Sequence, residues 1–158
     1  MSAEIRSASR QMVHGLRQRI KAAPGRHALS ARGRTDPQLA TMVLIISADA
    51  VAAALLGALI ETLGYPVRFA RPPETMDQTI RRVRPTVCLL DCEDPDNCSD
   101  EFLGRATMRG ISVVVFGKRD ALEHVRALAL AHEIDVLAVP ADVASVDDTL
   151  RRAIKKAG

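Results

Sequence analysis

Acidic residues are concentrated in one short stretch of the chain, and one earlier acidic residue could lie close to them in the folded protein. Five acidic residues lie from Asp91 to Asp100, and Asp49 follows an apolar run much earlier. Carboxylates are ligands that Mg²⁺ prefers, usually one or two of them together with several waters. These residues could therefore hold a magnesium ion if the fold brings them together. Acidic loops also occur without any metal, because Asp and Glu suit turns and helix N-termini.

Short aliphatic runs alternate with helical stretches from about residue 41 onward. The runs show little polar alternation, which is typical of strands buried on both faces of a parallel sheet. The predicted strands are residues 42–46, 67–70, 86–90, 111–116 and 134–139, and the predicted helices are residues 51–63, 74–83, 100–108, 122–131 and 143–156.

Five such strand–helix units predict an α/β fold with a doubly wound, five-stranded parallel sheet. We expect the flavodoxin-like strand order 2-1-3-4-5, because right-handed crossovers of this length yield it. Ligands of such sheets bind beyond the carboxyl ends of the strands, where the order reverses between the first and third strands. Asp49 follows the first strand, and Asp91 and Glu93 follow the third. These three are the candidate Mg²⁺ ligands, although we expect no cofactor to be required.

Residues 1–40 differ in charge from the rest of the chain. They hold eight Lys or Arg and two acidic residues, a net charge of +6, whereas residues 41–158 carry −3. Apolar residues recur at helical spacing from Ile5 to Ile20, which predicts a basic amphipathic helix as an N-terminal extension. A linker follows, so we predict a boundary near residue 40 and a domain over 41–158. The helix could dock on an acidic partner, pair with a second copy, lie on anionic lipid or pack on its own domain.

Several landmarks in residues 41–158 resemble the receiver domains of two-component response regulators. Leu63-Gly64-Tyr65 looks like the family's junction between the first helix and the second strand. Residues 85–91 look like the third strand, which ends at the phosphoacceptor aspartate, here Asp91, and Pro95 fits the family's Asp-x-x-x-Pro turn. Val139-Pro140 looks like the dipeptide after the fifth strand, where the family usually has Lys-Pro with a cis bond. The resemblance implies a role in signal transduction.

The chain departs from this family's pattern at the positions that surround the aspartate. Ser47 and Ala48 stand where receivers usually carry an acidic pair for Mg²⁺. Gly117 replaces the hydroxyl expected after the fourth strand, and Val139 replaces the lysine before Pro140. Without these groups the charge on a transferring phosphoryl group is poorly compensated, and a phosphorylated aspartate lacks its usual readout.

We therefore expect an atypical receiver, or pseudo-receiver, that signals through protein–protein interaction largely without phosphorylation. The alternative is a phosphate-accepting receiver that is phosphorylated on Asp91 with Mg²⁺, and a weaker third reading is a small-ligand enzyme on the same fold. We expect no enzymatic activity. The expected partner is a signalling kinase or effector protein, and a homodimer is conceivable.

Composition argues against several other classes of protein. Trp is absent and only one Tyr and three Phe occur, so platforms for stacking nucleic acid are few, and we expect no sequence-specific nucleic-acid binding. No apolar run approaches the ~20 residues that a membrane-spanning helix needs. Cys88, Cys92 and Cys98 lack the paired spacing of a zinc or redox site. We therefore expect reduced thiols and a cytoplasmic protein.

Overall fold

The strands form a single parallel sheet at the centre of the part of the chain that is described. The computed structural model describes residues 41–93 and 98–158. The predicted N-terminal helix, its linker, the boundary near residue 40 and the Pro95 turn lie outside these residues. Within them, the strands are β1 (Val43–Ile46), β2 (Val67–Phe69), β3 (Val87–Asp91), β4 (Ser112–Gly117) and β5 (Asp135–Ala138).

The strand order is β2-β1-β3-β4-β5, with every pair parallel, as the sequence predicts. All residues of β1, β3 and β4 are buried, because helices cover both faces of the sheet. The doubly wound α/β fold is therefore confirmed. Its topological switch point lies between β1 and β3, which are neighbours with chain crossovers leaving in opposite directions.

Four helices connect the strands described here, a fifth follows β5, and most of them begin at a polar capping residue. They are α1 (Ala50–Thr62), α2 (Met76–Val83), α3 (Asp100–Met108), α4 (Arg119–Ala131) and α5 (Val143–Ala157). The second helix begins two residues later than predicted, because Thr75 caps it and forms a reciprocal capping box with Gln78. The fourth begins three residues earlier than predicted, at Arg119, and its N-cap residue Lys118 makes no side-chain capping bond.

Alternate residues of the strands pack into two separate apolar layers. On one face, side chains such as Ile45, Leu89 and Phe116 pack against α1 and α5. On the other face, their neighbours along the strands, such as Leu90, pack against α2, α3 and α4. The carboxyl ends of the strands are thus held rigidly by cores above and below the sheet. No helix in the described ranges is long and apolar enough to cross a membrane.

Leu150 and Leu130 offer a matched test of this core. Leu150 on α5 is 1% exposed within the first layer, whereas Leu130 on α4 is 75% exposed. We expect Leu150→Ala to lower the free energy of unfolding by about 2–5 kcal/mol, because it leaves a cavity. Leu130→Ala should change it by less than about 0.5 kcal/mol. Urea denaturation followed by circular dichroism measures both, and equal losses would contradict the packing described here.

Candidate functional site

Asp91 is the last residue of β3 and is buried at the switch point. Asp91 is only 5% exposed, although transferring a carboxylate from water into a protein interior costs free energy. The strand register explains its surroundings. Ile46 pairs with Leu90 in β1–β3, so the residue after β1, Ser47, comes beside Asp91. On the other side, Asp91 pairs with Phe116 of β4.

Two donors from the protein itself satisfy the Asp91 carboxylate. The Ser47 hydroxyl donates to Asp91 Oδ2 at 2.5 Å, and the backbone N–H of Glu93 donates to Oδ1 at 3.0 Å. The Ser47 oxygen in turn accepts a hydrogen bond from the Asp49 backbone N–H at 3.0 Å. This short relay orients the hydroxyl toward Asp91 and stabilises the buried charge, since hydrogen bonds to an ionised group are stronger than neutral ones. The sequence indicated Ser47 only as a missing acid, and its bond to Asp91 is what the structure adds.

Asp49 uses its carboxylate as a helix cap. Its Oδ1 accepts the backbone N–H groups of Val51 and Ala52 at 2.9 and 3.0 Å, which satisfies two of the free donors at the start of α1. Ala48 before it is exposed and brings no ligand atom beyond its backbone. The sequence suggested Asp49 as a metal ligand, but its position is equally well explained as the N-cap that begins the helix.

Glu93 forms an ion pair with the N-cap lysine of α4. Lys118 Nζ lies 3.2 Å from Glu93 Oε1, and this hydrogen bond, together with the Glu93 charge, raises the pKa of Lys118. The Lys118 side chain is largely exposed, so the ion pair contributes little to stability. The ammonium group therefore lies at the rim of the site, bound to Glu93 and making no ion pair with Asp91.

The three candidate Mg²⁺ ligands, Asp49, Asp91 and Glu93, are thus each engaged with another group. Across residues 41–93 and 98–158, no three His, Cys, Asp or Glu side chains are grouped closely enough to hold a metal ion. As arranged, these carboxylates do not fit a preformed magnesium site. Mg²⁺ binding here stays a prediction.

Cys92 occupies the space beside Gly117. The Cys92 N–H donates to the Phe116 carbonyl at 2.9 Å, which fixes the chain as it leaves β3. A Cβ atom placed on Gly117 would overlap Cys92 Sγ. With Cys92 placed in this way, a side chain at position 117 fits only if the sulfur moves aside. Burial, and then the charge of Asp91, raise the pKa of the Cys92 thiol, which disfavours the reactive thiolate.

Val139 and Pro140 complete the site beside β4. The bond between them is cis, as in the Lys-Pro dipeptide that this segment resembles. The Val139 N–H donates to the Gly117 carbonyl at 2.9 Å, and its side chain packs against the core layer of α1 and α5. Val139, directly after β5, therefore brings an aliphatic side chain and no charge.

The fold has clear counterparts among solved structures of receiver domains. A CheY-like response regulator receiver domain protein from Methanospirillum hungatei JF-1 shares 16% identity at a TM-score of 0.54, covering 74% of this chain and 95% of that one. A response regulator receiver protein from Burkholderia phymatum shares 17% identity at a TM-score of 0.59, covering 73% and 95%. NtrX from Brucella abortus gives a TM-score of 0.62 at 16% identity, where this chain corresponds to 27% of that protein.

Sequence comparison adds no further relative to these structural ones. No protein-family model matches the chain, and no curated protein matches it in sequence. The identities to the solved structures are low, so the likeness concerns the fold. The five parallel strands and their order agree with it. The chain has the fold of a response-regulator receiver domain.

Proposed function

We propose that this protein is an atypical receiver that works in signal transduction by binding protein partners, in a conformation that is largely independent of phosphorylation of Asp91. The observation that carries the proposal is the hydrogen bonding of the Asp91 carboxylate, one oxygen of which accepts from the Ser47 hydroxyl and the other from the Glu93 N–H. A nucleophilic carboxylate would have to give up or share these bonds to attack phosphorus.

Charge compensation around Asp91 also supports the proposal. Phosphoryl transfer depends almost entirely on positioning and on cations that neutralise the phosphoryl oxygens. In the described site the nearest ammonium group, Lys118, is paired with Glu93, and Val139 is aliphatic. Each such missing electrostatic contribution typically costs about 10²–10³ in rate. Phosphotransfer to Asp91 should therefore be slow at best.

The readout of phosphorylation is also weakened. A phosphoryl group signals in this fold by pulling a hydroxyl at the end of β4 toward itself, and Gly117 has no hydroxyl to move. We infer a cytoplasmic, non-enzymatic module whose partner is a kinase or an effector. Contact through the basic residues 1–40 and a homodimer both stay predictions.

A phosphate-accepting receiver is the second candidate function. It is favoured by the buried position of Asp91 at the switch point and by Lys118 at the rim, whose flexible side chain could exchange Glu93 for a phosphoryl oxygen. In this alternative Mg²⁺ would bind near Asp91 and Asp49.

Beryllofluoride, an acyl-phosphate mimic, separates the two functions. We expect amide spectra of the full chain to show no Mg²⁺-dependent change at Asp91 when beryllofluoride is added, because the charges that hold it are missing. Nuclear magnetic resonance of the wild type and of Asp91→Ala measures this. Changes that need both Mg²⁺ and Asp91, and that extend into the segment after Gly117, would overturn the proposal.

A variant with an added carboxylate is the positive control for an absent Mg²⁺ response in the wild type. Ser47→Asp places a second carboxylate where the hydroxyl now meets Asp91. Two adjacent carboxylates should bind Mg²⁺, since shared coordination relieves their repulsion. We expect the amides around Asp91 to respond to Mg²⁺ in this variant and not in the wild type.

The contact between Cys92 and Gly117 gives a further prediction. Gly117→Ser should lower the free energy of unfolding by about 1–3 kcal/mol, because its Cβ overlaps Cys92 Sγ. In a Cys92→Ala background the same serine should cost less, by a coupling energy of about 0.5–3 kcal/mol. Urea denaturation of the four proteins in this cycle measures the coupling.

Gly104 on α3 provides the control for serine itself. A Cβ there meets nothing within 4 Å, so Gly104→Ser should be neutral or slightly stabilising. If Gly117→Ser were equally well tolerated, Cys92 would not restrict the residue at position 117.

A further inference from the structure

An open cleft lies at the N-terminal ends of β3 and β4, the opposite end of the strands from Asp91. It lies between the C-terminal ends of α2 and α3. It has a volume of about 680 Å³, within the range of ligand sites. Its floor is aliphatic and buried, and its walls are basic. The six lining residues, which we call the arginine cleft, are Ile80, Arg81, Arg84, Pro85, Arg109 and Ile111.

The positive charge of the arginine cleft is only partly neutralised. Arg81 and Arg84 are exposed and make no ion pair with any residue in ranges 41–93 and 98–158. Arg109 lies 3.2 Å from Asp77, but Arg105 contacts the same carboxylate at 3.4 Å. No acidic residue lines the cleft. An anionic group could therefore bind to guanidinium donors that are not fully used inside the domain.

Arg84 adopts a backbone conformation that a side chain disfavours. It ends α2 with φ 49° and ψ 58°, in the left-handed region, where its N–H donates to the Ile80 carbonyl at 2.8 Å. Glycine is the usual residue at such a helix end, because a Cβ there costs about 1–2 kcal/mol. The chain keeps a long cationic side chain at this point instead.

The chemistry of the cleft suits an acidic peptide that also carries aliphatic side chains. Guanidinium groups bind carboxylates and phosphates in bidentate fashion, and the aliphatic floor suits a Leu or Val side chain. None of the six lining residues is aromatic, so a nucleotide base would find no ring to stack on. We propose that the arginine cleft binds an acidic segment of a partner protein that also presents aliphatic side chains. This inference rests on the proposed function as a protein-binding module and names where one partner docks.

Binding of a synthetic acidic peptide tests the proposal. The probe is a fluorescein-labelled peptide of alternating Glu and Leu, measured by fluorescence anisotropy with the full chain. Arg84→Gly removes the guanidinium and relieves the backbone strain, so it should not destabilise the fold. It should nevertheless weaken binding about tenfold, the equivalent of one lost charged contact. Arg81→Gln should do the same.

Three controls separate the cleft from general basicity. Arg151→Gln removes an exposed arginine of α5 that pairs with Asp147 and should leave the affinity unchanged. The matching peptide of Gln and Leu should not bind. Residues 1–40 are basic in every variant, so their attraction for the probe cancels when variants are compared. Amide shifts on peptide addition should centre on Arg84 and Ile111.

The outcomes of this experiment are distinct from those at Asp91. Unchanged affinity in both Arg84→Gly and Arg81→Gln would overturn the inference, even if the domain forms no beryllofluoride complex. Inorganic pyrophosphate that binds more tightly than the peptide and displaces it would also overturn it, in favour of a small phosphate anion. Conversely, a functional phosphoacceptor at Asp91 would contradict the proposed function while leaving Arg84-dependent peptide binding intact.

Discussion

A carboxylate buried at the end of a central strand has to find donors within the protein, and that requirement organises the candidate site. Asp91 meets it with a hydroxyl from the end of β1 and a backbone N–H from its own loop. The same hydroxyl accepts the N–H of Asp49, whose side chain begins α1. The start of a helix, the ends of two strands and the buried carboxylate are therefore one hydrogen-bonded unit.

The two ends of the strands carry groups of opposite charge. Asp91, Glu93 and Asp49 lie at the C-terminal ends, whereas the arginine cleft lies at the N-terminal ends, between α2 and α3. Both are positioned by the same rigid sheet, with an apolar layer on each face.

Much of the fold could be predicted from the sequence, because it depends on local patterns of apolar and polar residues. Uninterrupted aliphatic runs identified the buried strands, and the alternation with helices determined the parallel order. The position of Asp91 at the switch point followed from that order. The partners of each side chain could not be predicted in this way. Whether Ser47 is a lost ligand or a hydrogen-bond donor depends on the register of β1 against β3 and on one side-chain torsion, which no local pattern specifies. The arginine cleft was not predicted for a related reason. Arg84 and Arg109 are distant in sequence, and both line the cleft only because α2 and α3 end next to each other.

The packing of Cys92 against Gly117 also constrains how the sequence can change over time. A Cβ at position 117 overlaps the sulfur at position 92, so the cost of a substitution at one position depends on the residue at the other. Starting from the pair described here, a side chain at position 117 is reached more easily when Cys92 is replaced first than by a single substitution. The order in which the two positions change therefore matters.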